Sequence, residues 1–318
     1  MQLQRKGLPS GQTTGHVFMV RPVRFGYNDQ TASSNAFQQA PGAEAPEAVQ
    51  AQALREFDLF VKLLRDAGVQ VTVFDDHPEP HTPDSIFPNN WISFHPEGTA
   101  VLYPMHAPNR RAERRSDVVD SLSRGVGGFR LLDLTAGEAG GHFLEGTGSL
   151  VLDRVHRIAY ACRSPRTDPE LLEAWGRELG YEPFVFDALD AAGGAIYHTN
   201  VMMAVGDTFA VVCLESVQPP EAREALARRL RDTGHEILEI SLAQMEAFAG
   251  NMLQVHNADG ERFTVLSARA HAALGEAQRA LLARHSGLIV VPLDVIETYG
   301  GGSVRCMLAE VFPPFGQA

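Results

Sequence analysis

Apolar runs recur along the chain at nearly constant spacing. Five of them begin near Trp91 (WISFHPEGTAVLYP), Ser149 (SLVLDRVHRIAYAC), Val201 (VMMAVGDTFAVV), Met252 (MLQVHNADGERFTVLS) and Ser303 (SVRCMLAEVF), separated by 58, 52, 51 and 51 residues. The first four break around turn residues such as HPEG, GD and NADG, a pattern that predicts β-hairpins. Each hairpin is followed by a stretch with apolar positions at helical period: RRSDVVDSLSR, DPELLEAWGREL, PEAREALARRLRDTG and GEAQRALLARH. A short apolar strand closes each unit, as FRLLDL, EPFVFD, HEILEI and LIVVPLD. The chain therefore repeats a hairpin–helix–strand module.

The fifth module is split. Only its first strand, VRCMLAEVF, follows the fourth unit. The missing parts stand at the other end: strand HVFMVRP, helix EAVQAQALREFDLFVKLLRDAG and strand VQVTVF. An α/β propeller of five modules, closed by pairing of the N-terminal strand with the C-terminal one, uses every element and leaves few sheet edges exposed. Residues 1–318 then form a single domain of five pseudo-repeats. The alternative is a generic α/β fold with fortuitous spacing.

Composition narrows the function classes. With 44% hydrophobic and 21% charged residues, the chain has the make-up of a globular protein with a substantial core. A net charge of −12 argues against a nucleic-acid or anionic-membrane surface, which needs basic patches. No apolar run reaches the length of a bilayer span, and the N-terminal MQLQRKGLPSGQTTG lacks the apolar core of a secretory signal. Three scattered cysteines, Cys162, Cys213 and Cys306, suit a reducing cytoplasm rather than a disulfide framework. The histidines show no ligand spacing, so no metal site is expected.

If the modules surround an axis, residues beside the first strand of each should converge. The first module brings Asp84, Asn89 and Asn90 (DSIFPNNW), the second His142 and Glu145 (GGHFLEGTGS). The third brings His198 and Asn200 (YHTN), the fourth Asn251 (GNM), and the fifth Cys306 behind three glycines (YGGGSVRCML). Singly, each has an ordinary structural reading: a buried thiol, a hydrogen-bonding imidazole, a turn carboxylate. Together, a cysteine, a histidine and a carboxylate form the set for thiol catalysis. Cys162 and Cys213 lie in plain strand contexts and read as core thiols.

These segments carry a resemblance. GGGSVRCML resembles the glycine-rich cysteine motif of arginine deiminases and their relatives in the guanidino-group-modifying (pentein) superfamily, which are five-module α/β propellers. FLEGTGS is similar to their Glu-Gly-Gly-Asp segment, YHTN to their His-x-Asp, and CRSPRTD to a Ser-x-Arg-Thr segment. FPNNW and MVRPVRFGYNDQTASSNAFQ look closest to an arginine deiminase-related, amidinotransferase-family branch linked to citrulline utilisation. The resemblance implies Cys306 as nucleophile, His198 as general acid–base, Glu145 as catalytic carboxylate and Arg166 as binder of the substrate carboxylate. It implies no cofactor, and a small amino-acid substrate rather than a nucleic acid or membrane partner. Homo-oligomer formation stays open.

One departure bears on the substrate. Deiminases flank the guanidinium with two aspartates, where this chain has Asn90 and Asn200. A buried cation needs an opposite charge, whereas two amides suit a neutral ureido group. The expected reaction is citrulline to ornithine, ammonia and carbon dioxide. The alternatives are a deiminase or dimethylarginine hydrolase that makes citrulline, with Asp84 and Glu145 pairing the guanidinium, then an amidinotransferase. A fourth is a non-catalytic ribosome-binding ring, which would need no nucleophile.

Overall fold

The computed structural model describes residues 11–312 except 41, 43 and 126. Strand β1 (His16–Arg21) leads through a helix, Pro46–Asp66, to β2 (Gln70–Asp75), which runs parallel to it. Proline at the first turn of that helix costs no hydrogen bond. The spacing of Val49, Ala53, Phe57, Phe60 and Leu64 then gives one continuous buried stripe.

The same plan follows four times. Hairpin β3 (Ile92–His95) and β4 (Thr99–Leu102) continues through helix Ser116–Gly125 to β5 (Arg130–Asp133), parallel to β4. Hairpin β6 (Val151–Asp153) and β7 (Ile158–Cys162) continues through helix Pro169–Leu179 to β8 (Glu182–Ala188). Asp168 caps this helix by accepting from Leu171 N–H, and left-handed Gly180 ends it. Hairpin β9 (Met203–Val205) and β10 (Phe209–Val212) leads to the short β11 (Val217–Gln218), which adds to β8. Helix Pro220–Asp232 follows, then β12 (Glu236–Glu239), parallel to β10. Hairpin β13 (Leu253–His256) and β14 (Arg262–Ser267) continues through helix Glu276–His285 to β15 (Gly287–Val291). Finally β16 (Ala309–Val311) returns antiparallel to β1.

The described residues thus hold five separate sheets, each an antiparallel pair plus a parallel third strand, with β11 added as a fourth strand beside β8. Burial is graded across each sheet. The first strands β3, β6, β9 and β16 are buried at every position, while the third strand β5 is exposed at three of its four. First strands also touch one another: β16 meets β3, β6 meets β9, and β9 meets β13. Phe18 of β1 packs edge-on against Trp91 and Phe94, with ring centroids 6.3 and 6.1 Å away. Among the described residues no helix is long and apolar enough to cross a membrane.

A buried ion cluster ties the second module to the fifth. Arg154, in the turn between β6 and β7, and Arg305 both donate to Oε2 of Glu310 in β16, at 3.3 and 2.8 Å. Arg154 also lies 4.2 Å over the Phe312 ring. All three charged residues are buried, so loss of the carboxylate strands two guanidiniums away from water. We therefore expect Glu310→Gln to cost about 3–5 kcal/mol of stability. Urea denaturation with an unchanged m-value checks it, and a shift below about 1 kcal/mol would show the cluster to be dispensable.

Candidate active site

Short helical turns immediately before the first strands carry the polar residues. Asn89 and Asn90 lie on the turn Pro88–Asn90 before β3, and Glu145 precedes the turn Gly146–Ser149 before β6. His198 and Asn200 flank and occupy Thr199–Val201 before β9. Cys306 lies on Val304–Met307 before β16. The sequence pattern places Cys306 within a strand, and this is corrected: Cys306 N–H donates to Ser303 O, and the ladder starts only at Ala309. A turn at this point lets the side chain face its counterparts instead of alternating along a pleat.

Glycines make that approach feasible. A Cβ on Gly148 would come 2.4 Å from Asn90 Nδ2 and 2.8 Å from the His198 ring, so these two side chains meet across it. Gly301 has φ +62°, and a Cβ there would strike Asn35 and the Gln38 backbone at 2.6 and 2.7 Å. The glycine run before the cysteine is thus a matter of close packing, and Gly300–Gly302 form one wall of the cavity.

That cavity has a volume of about 20 Å³ and is lined by Asp84, Asn90, Arg110, Arg166, His198 and Cys306, with Asn35, Phe87 and Tyr197. Asn251 Nδ2 and Asn200 Nδ2 point at Cys306 Sγ from 3.3 and 3.5 Å. Asn251 further donates to Asn200 O and accepts from Arg305 N–H, which fixes the cysteine turn to the third module. His198 Nε2 is 2.8 Å from Glu145 Oε2. Glu145 also accepts from Arg166 Nη1 at 3.3 Å and from His106 N–H at 2.9 Å. Burial alone would raise the Glu145 pKa, yet Arg166 and His198 hold it far below the carboxylate range. Burial pushes His198 down to about 4, against the pull of Glu145, so the imidazole is neutral at rest.

Of the residues singled out in the sequence, Asp84, Asn90, Arg166, His198, Asn200, Cys306 and the supporting Glu145 and Asn251 come together. Asn89 is buried beside Thr147 and does not border the cavity. His142 is a correction: it is half exposed and hydrogen-bonded to Asp168 at 2.8 Å, because its loop turns outward before Glu145. Arg166 spends Nη1 on Glu145 and Nη2 on Ser34 at 2.7 Å, stacks 4.9 Å over Tyr197, and keeps only Nε without a partner. Cys162 and Cys213 are core thiols, pushed up to about 11 by burial.

Arg110 escapes the sequence reading. It grips Glu113 through two 2.9 Å bonds, lies 3.7 Å from Asp84, and donates Nη1 to Asn90 Oδ1 at 2.9 Å. The segment Asn28–Asn35 is the other omission. Asn28 donates to Asp84 at 2.7 Å, Ser34 accepts from Arg166, and Asn35 borders the cavity.

Residues 21–313 match the family model of N,N dimethylarginine dimethylhydrolase, eukaryotic. The chain belongs to this family. It is thereby a member of the pentein guanidino-modifying superfamily, in the arginine-modifying branch, and a cysteine-dependent hydrolase of non-peptide carbon–nitrogen bonds. Solved structures share the fold of this dimethylhydrolase family member at low identity. The N-terminal domain of ArgZ, covalently bound to a reaction intermediate, is 16% identical over 94% of this chain and 98% of that one, with TM-score 0.72. The apo structure of ArgZ, an arginine dihydrolase from the ornithine–ammonia cycle in cyanobacteria, gives TM-score 0.70 at 16% identity, over 94% of this chain and 41% of that one. Unliganded AgrE gives TM-score 0.72 at 16% identity, over 94% of this chain and 39% of that one. A dimethylarginine dimethylaminohydrolase adduct with S-methyl-L-thiocitrulline gives 0.62 at 17%, over 94% and 99%. No curated protein matches the chain.

The charge pattern sets an acid limit. Unfolded His198 takes up a proton below its ordinary 6.5, but the folded residue does so only near 4. The unfolded state thus gains protons first, and stability falls as pH drops from 6.5 towards 4, on the order of 3 kcal/mol from this residue. Glu145, depressed when folded, adds a further loss below its ordinary 4.5. Urea midpoints measured across this range should fall, and His198→Asn should flatten the upper part of the curve. An unchanged slope in that variant would show His198 to be protonated in the folded protein.

Proposed function

We propose that the enzyme hydrolyses citrulline to ornithine, ammonia and carbon dioxide through a covalent intermediate on Cys306. One observation carries the choice of substrate. Asn90 Oδ1 accepts from Arg110, which fixes the amide orientation and leaves Asn90 Nδ2 a buried donor without an acceptor at the cavity. A guanidinium offers only donors, whereas a ureido group offers an oxygen. An unpaired buried donor is costly, so the ligand that satisfies it is favoured.

In this reading the Cys306 thiol gives its proton to neutral His198, and the thiolate attacks the ureido carbon. Asn200 and Asn251 donate to the sulfur. His198 returns the proton to the departing ornithine nitrogen, leaving an S-carbamoyl group. Water then adds to that carbon, the C–S bond breaks, and carbamic acid decomposes to ammonia and carbon dioxide. Glu145 orients His198 and stabilises its charged form, and the unpaired Arg166 Nε is a donor for the substrate carboxylate. No cofactor enters. Pairing of β1 with β16 and the contacts among first strands support a closed five-module propeller around this site. Three reduced cysteines suit the cytoplasm.

Arginine is the second reading, and Asp84 favours it. Its Oδ1 is buried at the cavity without a donor, a place for a guanidinium N–H. ArgZ is described as an arginine dihydrolase, and AgrE has been seen with L-arginine. Comparing kcat/KM for citrulline, arginine and dimethylarginine decides between the two, and a wild type that prefers arginine overturns the citrulline reading. Cys306→Ala should remove turnover by about four orders of magnitude or more while the fold stays intact. Asn90→Asp with Asn200→Asp should swing the citrulline-to-arginine ratio by about a hundredfold towards arginine, since two desolvated carboxylates need a cation between them.

A further inference from the structure

A second cavity lies on the far side of Asn200 and plays no part in the scheme above. Its volume is about 30 Å³, and Asn200, Ala204, Leu253, Gln254, Arg305 and Glu310 are among its walls. That is room for about two water molecules. Two of its polar atoms have no partner: Gln254 Nε2, a donor, and Asn200 Oδ1, an acceptor, on residues only 4% and 1% exposed. A buried donor and acceptor around one polar cavity are the partners that an internal water needs.

Asn200 lines the second cavity, and Cys306 beside it lines the first. Asn200 Nδ2 points at Cys306 Sγ, and the Asn200 oxygen is open to a donor. In the covalent intermediate the amino-acid half of the substrate fills the front cavity, whose lining side chains are buried. Water arriving from that side must wait for ornithine to leave. We infer that the second cavity supplies the water that resolves the intermediate, passed to the Cys306 adduct at Asn200. The water oxygen bonds to the adduct carbon, the C–S electron pair returns to sulfur, and the released proton goes to His198. This rests on the covalent role of Cys306 and is indifferent to whether the adduct is carbamoyl or amidino.

Two variants test it. Ala204→Leu fills the cavity, and Gln254→Leu removes its unpaired donor. Both are assayed on whichever of citrulline and arginine the wild type turns over, with acid quench and intact-mass analysis of the enzyme. Slowed resolution should lower kcat about tenfold, leave kcat/KM unchanged and accumulate the Cys306 adduct, because kcat/KM reports only steps up to adduct formation. A fall in kcat and kcat/KM together without adduct, or unchanged kcat in the folded Gln254→Leu enzyme, overturns the proposal. Failure of the citrulline reading shows separately, as the wild type's choice of substrate.

Discussion

Charge without water is the constraint on which the centre of this molecule depends. Asp84, Arg110, Glu113, Glu145 and Arg166 are all buried within one cluster. Each ion alone would cost several kcal/mol to desolvate, so each is tolerated only through the others. Glu145 is the pivot, since one carboxylate serves Arg166, His198 and the His106 amide. Arg110 plays the matching part on the opposite sign, joined to Glu113, Asp84 and Asn90. Three carboxyls face two guanidiniums, and burial pushes Glu113 up to about 8, so the cluster approaches neutrality by holding a proton.

The repeated module supplies the geometry this balance requires. A helical turn before a fully buried strand recurs in four modules, and each turn delivers one or two polar side chains to the same place. No module contains a site by itself. Cysteine, histidine and carboxylate come from three different sheets, and Asn251 of a fourth stitches two of them together through the backbone. Small changes in how neighbouring modules pack must then appear as changes in the distance between nucleophile and base.

Much of this was legible in the sequence because the modules obey simple periods. Alternation marks the hairpins, a 3.6-residue period marks the helices, and the recurrence near fifty residues gives the order. Cys306, His198 and Glu145 could be aligned on that frame alone. The turn under Cys306 could not, because VRCMLAEVF is mostly apolar and a strand is its natural local reading. Arg110 was hidden for a different reason. It lies in NRRAERR, a basic run that reads as a solvated surface, and only its bonds to Glu113 and Asn90 reveal it as buried. His142 was misread because proximity along the chain to Glu145 does not survive the outward turn between them.

The pairing of β1 with β16 also orders events in time. Thr14 Oγ1 donates to Val311 O across 297 residues of chain, so the first sheet is completed by the last strand described. Contacts of such long range are slow to form, and a chain growing on the ribosome folds from its N-terminal end as it emerges. Strand β1 must therefore wait beside β2, one edge unpaired, until translation has passed every other module. The turn that carries Cys306 arrives together with its missing partner. A nascent chain that has not yet reached this strand has no thiol in its site.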